Sequence, residues 1–210
     1  MSKMTKTNWS ALVKTLAPLL ALAFAGQFGL TMFESTFALF AQAKFSDTPL
    51  KVGIVFVACG GVMSVFQAGA VGFLAWKVAE IIQIGVGFAL MGTGIALLAT
   101  AQTKFLVFAF VALLSLGMAF IAPNLSALIA KRSSKQRTGV SFGVQSAANS
   151  LGQAGGPLRG SVLFVWPMNA PYFLSGALLI ALTLIITGNL IFTRRHGFVL
   201  KTDAKREEKR

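Results

Sequence analysis

A single acid stands in the middle of a long apolar stretch: Glu34, within Phe33-Glu34-Ser35-Thr36. Ionisable side chains inside membrane spans are costly, and they mark proton relays, ion paths or ligand counter-ions. Gln27, Thr31, Glu34 and Ala38 recur at three- and four-residue intervals, so a helix puts them on one face. That face is expected to meet other helices or a water-filled path, with Glu34 as the proton-coupling candidate. The plainer alternative is a carboxyl that only hydrogen-bonds a neighbouring helix.

A second constellation lies further along. Ser141, Gln145, Asn149, Gly152 and Gly156 share a helical face, and Gly152, Gly156 and Gly160 form two overlapping small-xxx-small motifs. Such motifs let helix backbones approach closely. Pro157 removes a backbone donor and can kink the helix. Arg159 lies on the same face. With a 1.5 Å rise per residue, Glu34 stands roughly 27 Å and Arg159 roughly 30 Å from the cytoplasmic ends of their helices. The two are therefore expected to pair or share a network, which lessens the cost of both charges. The alternative is that Arg159 snorkels to the outer headgroups. Gln145, Asn149 and Asn124 (after Pro123) join Gln27 and Thr31 as polar candidates for a substrate path, although Asn124 also suits simple helix contacts.

Other reactive residue types offer little. Cys59 is the one cysteine and His196 the one histidine, with no metal-ligand spacing around either. There is no His-Glu-x-x-His, no Walker loop and no Gly-x-Ser-x-Gly elbow. No enzyme, metal or cofactor is expected.

The elements that must position these residues are apolar runs at about 16–41, 52–74, 81–101, 104–128, 139–165 and 170–192. A span needs about 20 apolar residues. Hydrophobic content of 55% with 12% charged residues fits lipid as the solvent. Continuous rather than alternating runs favour helices over a barrel. The fifth run is the least hydrophobic. The expected architecture is all-α, with a tail at 1–15, six helices over 16–192 and a basic tail at 193–210.

The net charge of +13 has a topological explanation. Fifteen basic residues fall on one side of such a layout and three on the other, Lys44, Lys51 and Lys104. This positive-inside bias puts both termini in the cytoplasm and argues against a nucleic-acid partner. The first run is too long for a cleaved signal. Asp47-Thr48-Pro49 and the prolines at 167 and 171 fit turns. Lys77 and Glu80 are spaced for an i,i+3 pair. The tail from Lys201 reads as disordered or as lying on anionic lipid. Two groups of three helices, 16–101 and 104–192, would have opposite orientations, the inverted-repeat plan of many secondary transporters.

Phe33-Glu34-Ser35-Thr36-Phe37-Ala38-Leu39-Phe40 resembles the seventh helix of major facilitator superfamily transporters, and Val52-Gly53 through Gln67 resembles the eighth. Gln67-Ala68-Gly69-Ala70-Val71-Gly72, with Lys77 and Glu80, is similar to the family's weakened second loop motif. Gly152-Gln153-Ala154-Gly155-Gly156-Pro157-Leu158 resembles its eleventh helix. The likeness is to the C-terminal six-helix half, in the drug:proton antiporter branch that includes tetracycline exporters. Arg159 departs from it, because the family usually has an apolar residue there.

The resemblance implies transport of a small organic solute or drug across the cytoplasmic (inner) membrane, with protons as coupling ion and alternating access as mechanism. It also implies a second copy or a separate six-helix half as partner, since the family's path runs between two halves. The rivals are a non-transporting remnant or accessory subunit, and a small channel.

Overall fold

The computed structural model describes residues 9–71, 77–164 and 169–207. All the regular structure among them is helical: α1 Trp9–Phe45, α2 Pro49–Phe66, α3 Glu80–Leu98, α4 Lys104–Arg132, α5 Thr138–Phe164 and α6 Ala170–Glu207. A π turn, Gln67–Val71, extends α2. The Gly72–Leu74 end of the expected second span and the turn at Pro167 lie outside the described residues.

Local chemistry sets the boundaries. Ser46 closes α1 with a positive φ of 51°, Thr48 is extended, and Pro49 opens α2, where a missing N–H costs nothing. The Thr103 hydroxyl caps α4 by accepting from Leu106 N at 3.3 Å. α1 begins at Trp9, inside the stretch expected to be a tail. α6 runs on to Glu207, through the tail expected to be disordered or to lie on anionic lipid. Lys, Arg, Ala and Glu are good helix formers, and no proline interrupts them.

Among the described residues, five helical stretches are long and apolar enough to cross a membrane: Leu16–Phe45, Pro49–Gly69, Glu80–Leu98, Lys104–Arg132 and Ala170–Gly188. α5 has the length, 27 residues, but its glycines and polar side chains lower its hydropathy. Successive helices alternate in direction. The α1–α2 and α3–α4 connections share one end of the bundle, where Asp47 pairs with Lys104 and, at 3.8 Å, with Lys51. Lys44 Nζ there donates to Ala99 O at 3.3 Å. At the opposite end Glu80 pairs with Lys131 of α4.

The strongest seams are α1 with α5, α3 with α4, and α3 with α6. Each closes on glycine. A methyl group on Gly152 would lie 2.6 Å from Phe24 O. One on Gly94 would lie 2.7 Å from Leu114 N, and one on Gly176 would lie 2.8 Å from Gly92 O. Lipid supplies little hydrophobic drive between helices, so close backbone packing must replace it.

Candidate functional site

The α1–α5 seam organises the residues singled out above. Gly152, Gly156 and Gly160 lie one above another against Phe24, Gln27, Phe28, Thr31, Met32, Ser35 and Thr36. Methyl groups at Gly156 and Gly160 would stand 2.8 Å from Met32 N and 3.0 Å from Thr36 Cγ2. Thr31 is buried and crosses the seam. Its Oγ1 lies 2.9 Å from Gln27 O and 3.3 Å from Gly152 O. Gln27 and Asn149 are half-buried. Pro157 sits inside α5 beside these glycines.

Glu34 leaves this seam on the flank toward α2. It is exposed, and it is close enough to Cys59 of α2 to act on it electrostatically. The adjoining wall is aromatic: the Phe56 ring of α2 lies 6.2 Å from Phe33 and 5.6 Å from Phe37. Cys59 is itself buried, with Ser115 Oγ of α4 at 2.8 Å from its sulfur and at 2.6 Å from Val111 O. One hydroxyl and one thiol hydrogen satisfy both contacts.

Arg159 leaves the seam on the other flank. It lines a cavity with Phe28 and Met32 of α1 and Leu174, Ser175 and Leu178 of α6. No ion pair joins it to Glu34 among the described residues. The expected pairing fails because helix rise sets height but not direction around the helix. The two charges turn to opposite sides of α1 and α5.

Two polar path candidates are used between helices. Asn124 is 3% exposed, and its Nδ2 donates to Gln83 Oε1 of α3 at 3.2 Å and to Phe120 O at 2.8 Å. Gln83 Nε2 in turn donates to Val78 O at 2.8 Å. Gln145 is buried, and its Nε2 donates to Ser126 Oγ of α4 at 3.1 Å. A Ser133–Ser141 hydroxyl contact of 2.7 Å continues this α4–α5 polar layer.

The opposite flank of α5 carries polar residues that the sequence did not single out. Ser146, Ser150 and Gln153 are exposed. At about 100° per residue they lie away from Arg159, on the flank that Glu34 takes on α1. Their signal is present, as polar residues at i, i+4 and i+7 in a span, but glycines dominate the segment.

Among the described residues no three of His, Cys, Asp or Glu gather as a metal site. The chemistry on offer is that of one exposed carboxyl beside a glycine-packed helix pair.

A family model described as Major Facilitator Superfamily matches residues 19–209. Multidrug resistance protein 2 of Bacillus subtilis (strain 168) is 28% identical over 162 residues, covering 76% of this chain and 40% of that protein. Tetracycline resistance protein, class G, of Vibrio anguillarum is 29% identical over 126 residues, covering 60% and 32%. The crystal structure of the human organic anion transporter MFSD10 (TETRAN) superposes with a TM-score of 0.72 at 20% identity, over 89% of this chain and 42% of that one. The chain thus spans less than half the length of these proteins, and its fold is half of theirs.

Proposed function

Because the chain belongs to the major facilitator superfamily, we propose that this integral membrane protein forms one half of a proton-coupled carrier for a small organic solute or drug. Glu34 is the proton-responsive group in this reading. The observation that carries it is the position of Glu34, exposed mid-helix, with no ion-pair partner among the described residues. A carboxyl so placed is free to gain and lose a proton as its surroundings alternate between wet and dry.

Gln27, Asn149, Ser146, Ser150 and Gln153 are the candidates for the polar lining beside it. The glycine seam lets α5 shift against α1 with little steric cost. The complementary six helices come from a second copy, a separate chain or further sequence of the same protein. Relatives named for multidrug and tetracycline resistance support export of an organic compound. Both termini are assigned to the cytoplasm on the charge bias of the connections.

The test is efflux of a fluorescent organic cation from vesicles containing the chain and its complement, driven by an imposed pH gradient. Glu34→Gln is expected to abolish dependence on the gradient at unchanged protein level. Unchanged gradient-driven efflux in that variant would refute the role of Glu34. The second reading is an accessory subunit that carries nothing itself. Absence of any efflux in every assembled form would select it.

A further inference from the structure

The cavity at Arg159 faces away from Glu34 and calls for a different occupant. Its volume is about 230 Å³. Phe28 and Met32 of α1, Arg159 of α5 and Leu174, Ser175 and Leu178 of α6 line it. The Ser175 hydroxyl is taken by Pro171 O at 2.6 Å, so Arg159 is the free donor of the cavity. Arg159 is exposed and has no ion-pair partner among the described residues.

Height and rim identify the setting. Arg159 lies about 31 Å along α5 from Thr138, and Leu174 and Leu178 lie about 6 and 12 Å along α6 from Ala170. The cavity is therefore at the end of the bundle that holds Asp47 and Lys104, just inside it. Its rim is apolar and outward-facing: Leu174 and Leu178 are 54 and 43% exposed. Such a rim faces acyl chains. A cation on a long stem at this depth reaches the headgroup layer and needs an anion there.

We propose that this cavity is a phospholipid site. The guanidinium of Arg159 holds the lipid phosphodiester, a match of planar donor fork to phosphate oxygens. One acyl chain lies over Leu174 and Leu178 into the groove that Phe28 and Met32 also line. Lipids with net negative headgroups are preferred, because a choline ammonium opposes the arginine. The occupant would wedge the α1, α5 and α6 helices at the outer end. The inference rests on the membrane setting of the chain and not on its transport activity.

The test uses the full chain reconstituted in vesicles of equal phosphatidylglycerol and phosphatidylcholine, extracted gently, with bound lipids counted by native mass spectrometry. The wild type is expected to retain phosphatidylglycerol in preference to phosphatidylcholine. Arg159→Gln should lower that retention about tenfold, the factor expected for loss of one charge-assisted contact. Leu178→Trp, which fills the groove and leaves the cation, should lower retention of both lipids. Equal retention by wild type and Arg159→Gln, in monodisperse preparations, would overturn the proposal. So would Arg159-dependent stabilisation by a soluble organic anion with no lipid preference, which would assign the cavity to a solute instead.

Discussion

Gly156 is where the two helices of the main seam come closest to Thr31 and Met32. A side chain there must displace Met32 N, which lies 2.8 Å from where a Cβ would stand, and backbone cannot move as a side-chain tip can. Gly156→Leu is expected to destabilise the bundle by at least about 1–3 kcal/mol, the usual cost of overpacking. Gly60→Ala on α2 meets nothing within 4 Å and should be neutral or slightly stabilising, since alanine is the better helix former. Thermal midpoints in detergent, read by size-exclusion, check both. Glu34 obeys a different rule at this scale. It makes no ion pair among the described residues, so Glu34→Gln should cost activity and little stability. A large fall in thermal midpoint for that variant would mean a structural carboxyl.

The helices hold together through short polar contacts set among glycines. Asn124 and Gln83 join α3 to α4 out of reach of water or lipid. Either residue alone would be left with an unmet amide, at a cost of about 1–3 kcal/mol. Asn124→Leu and Gln83→Leu are therefore each expected to destabilise, while the double variant recovers much of the loss. Additive losses in that cycle would show that the contact contributes nothing of its own. Thr31 across α1–α5, Ser126–Gln145 across α4–α5 and Ser115–Cys59 across α2–α4 are contacts of the same kind. None of these partnerships was legible in the sequence. Each depends on the register of two helices, and helical periodicity within one segment does not carry it. The α5 glycines were legible, because three residues at i, i+4 and i+8 define a face without reference to a partner.

On the scale of the whole molecule, the exposed surface is asymmetric. α2 leaves Leu50, Ile54, Val57 and Val65 exposed, and Gly53, Gly60 and Gly61 have open space before them. α3 and α4 bury most of what faces each other. A carrier built from two halves would cover the α2 and α5 surfaces. Gently extracted material is therefore expected to have the mass of two six-helix units, either two copies or one copy with another chain, measured by light scattering with the detergent subtracted. Gly61→Leu should break that complex without unfolding the chain. A stable unit of 22.2 kDa in every mild detergent would count against the carrier and for the accessory reading.

The sequence by itself determined the solvent, the helical class, the approximate bounds of six helices and the alternation of charged connections. These follow from composition and hydropathy along the chain, which lipid reads directly, and residues 33–40 and 152–158 carried the family likeness. Only the tertiary structure decided which way each polar side chain turns. Glu34 and Arg159 stand at similar heights, yet α1 turns one toward α2 and α5 turns the other toward α6. Gln145 and Asn124, candidates for a path, make contacts between helices, the use that Asn124 also suited in the sequence. The physical reason is that lipid tells a helix only that it must be apolar outside. Its rotation is set by where glycines let a neighbouring backbone approach, and that is a property of pairs.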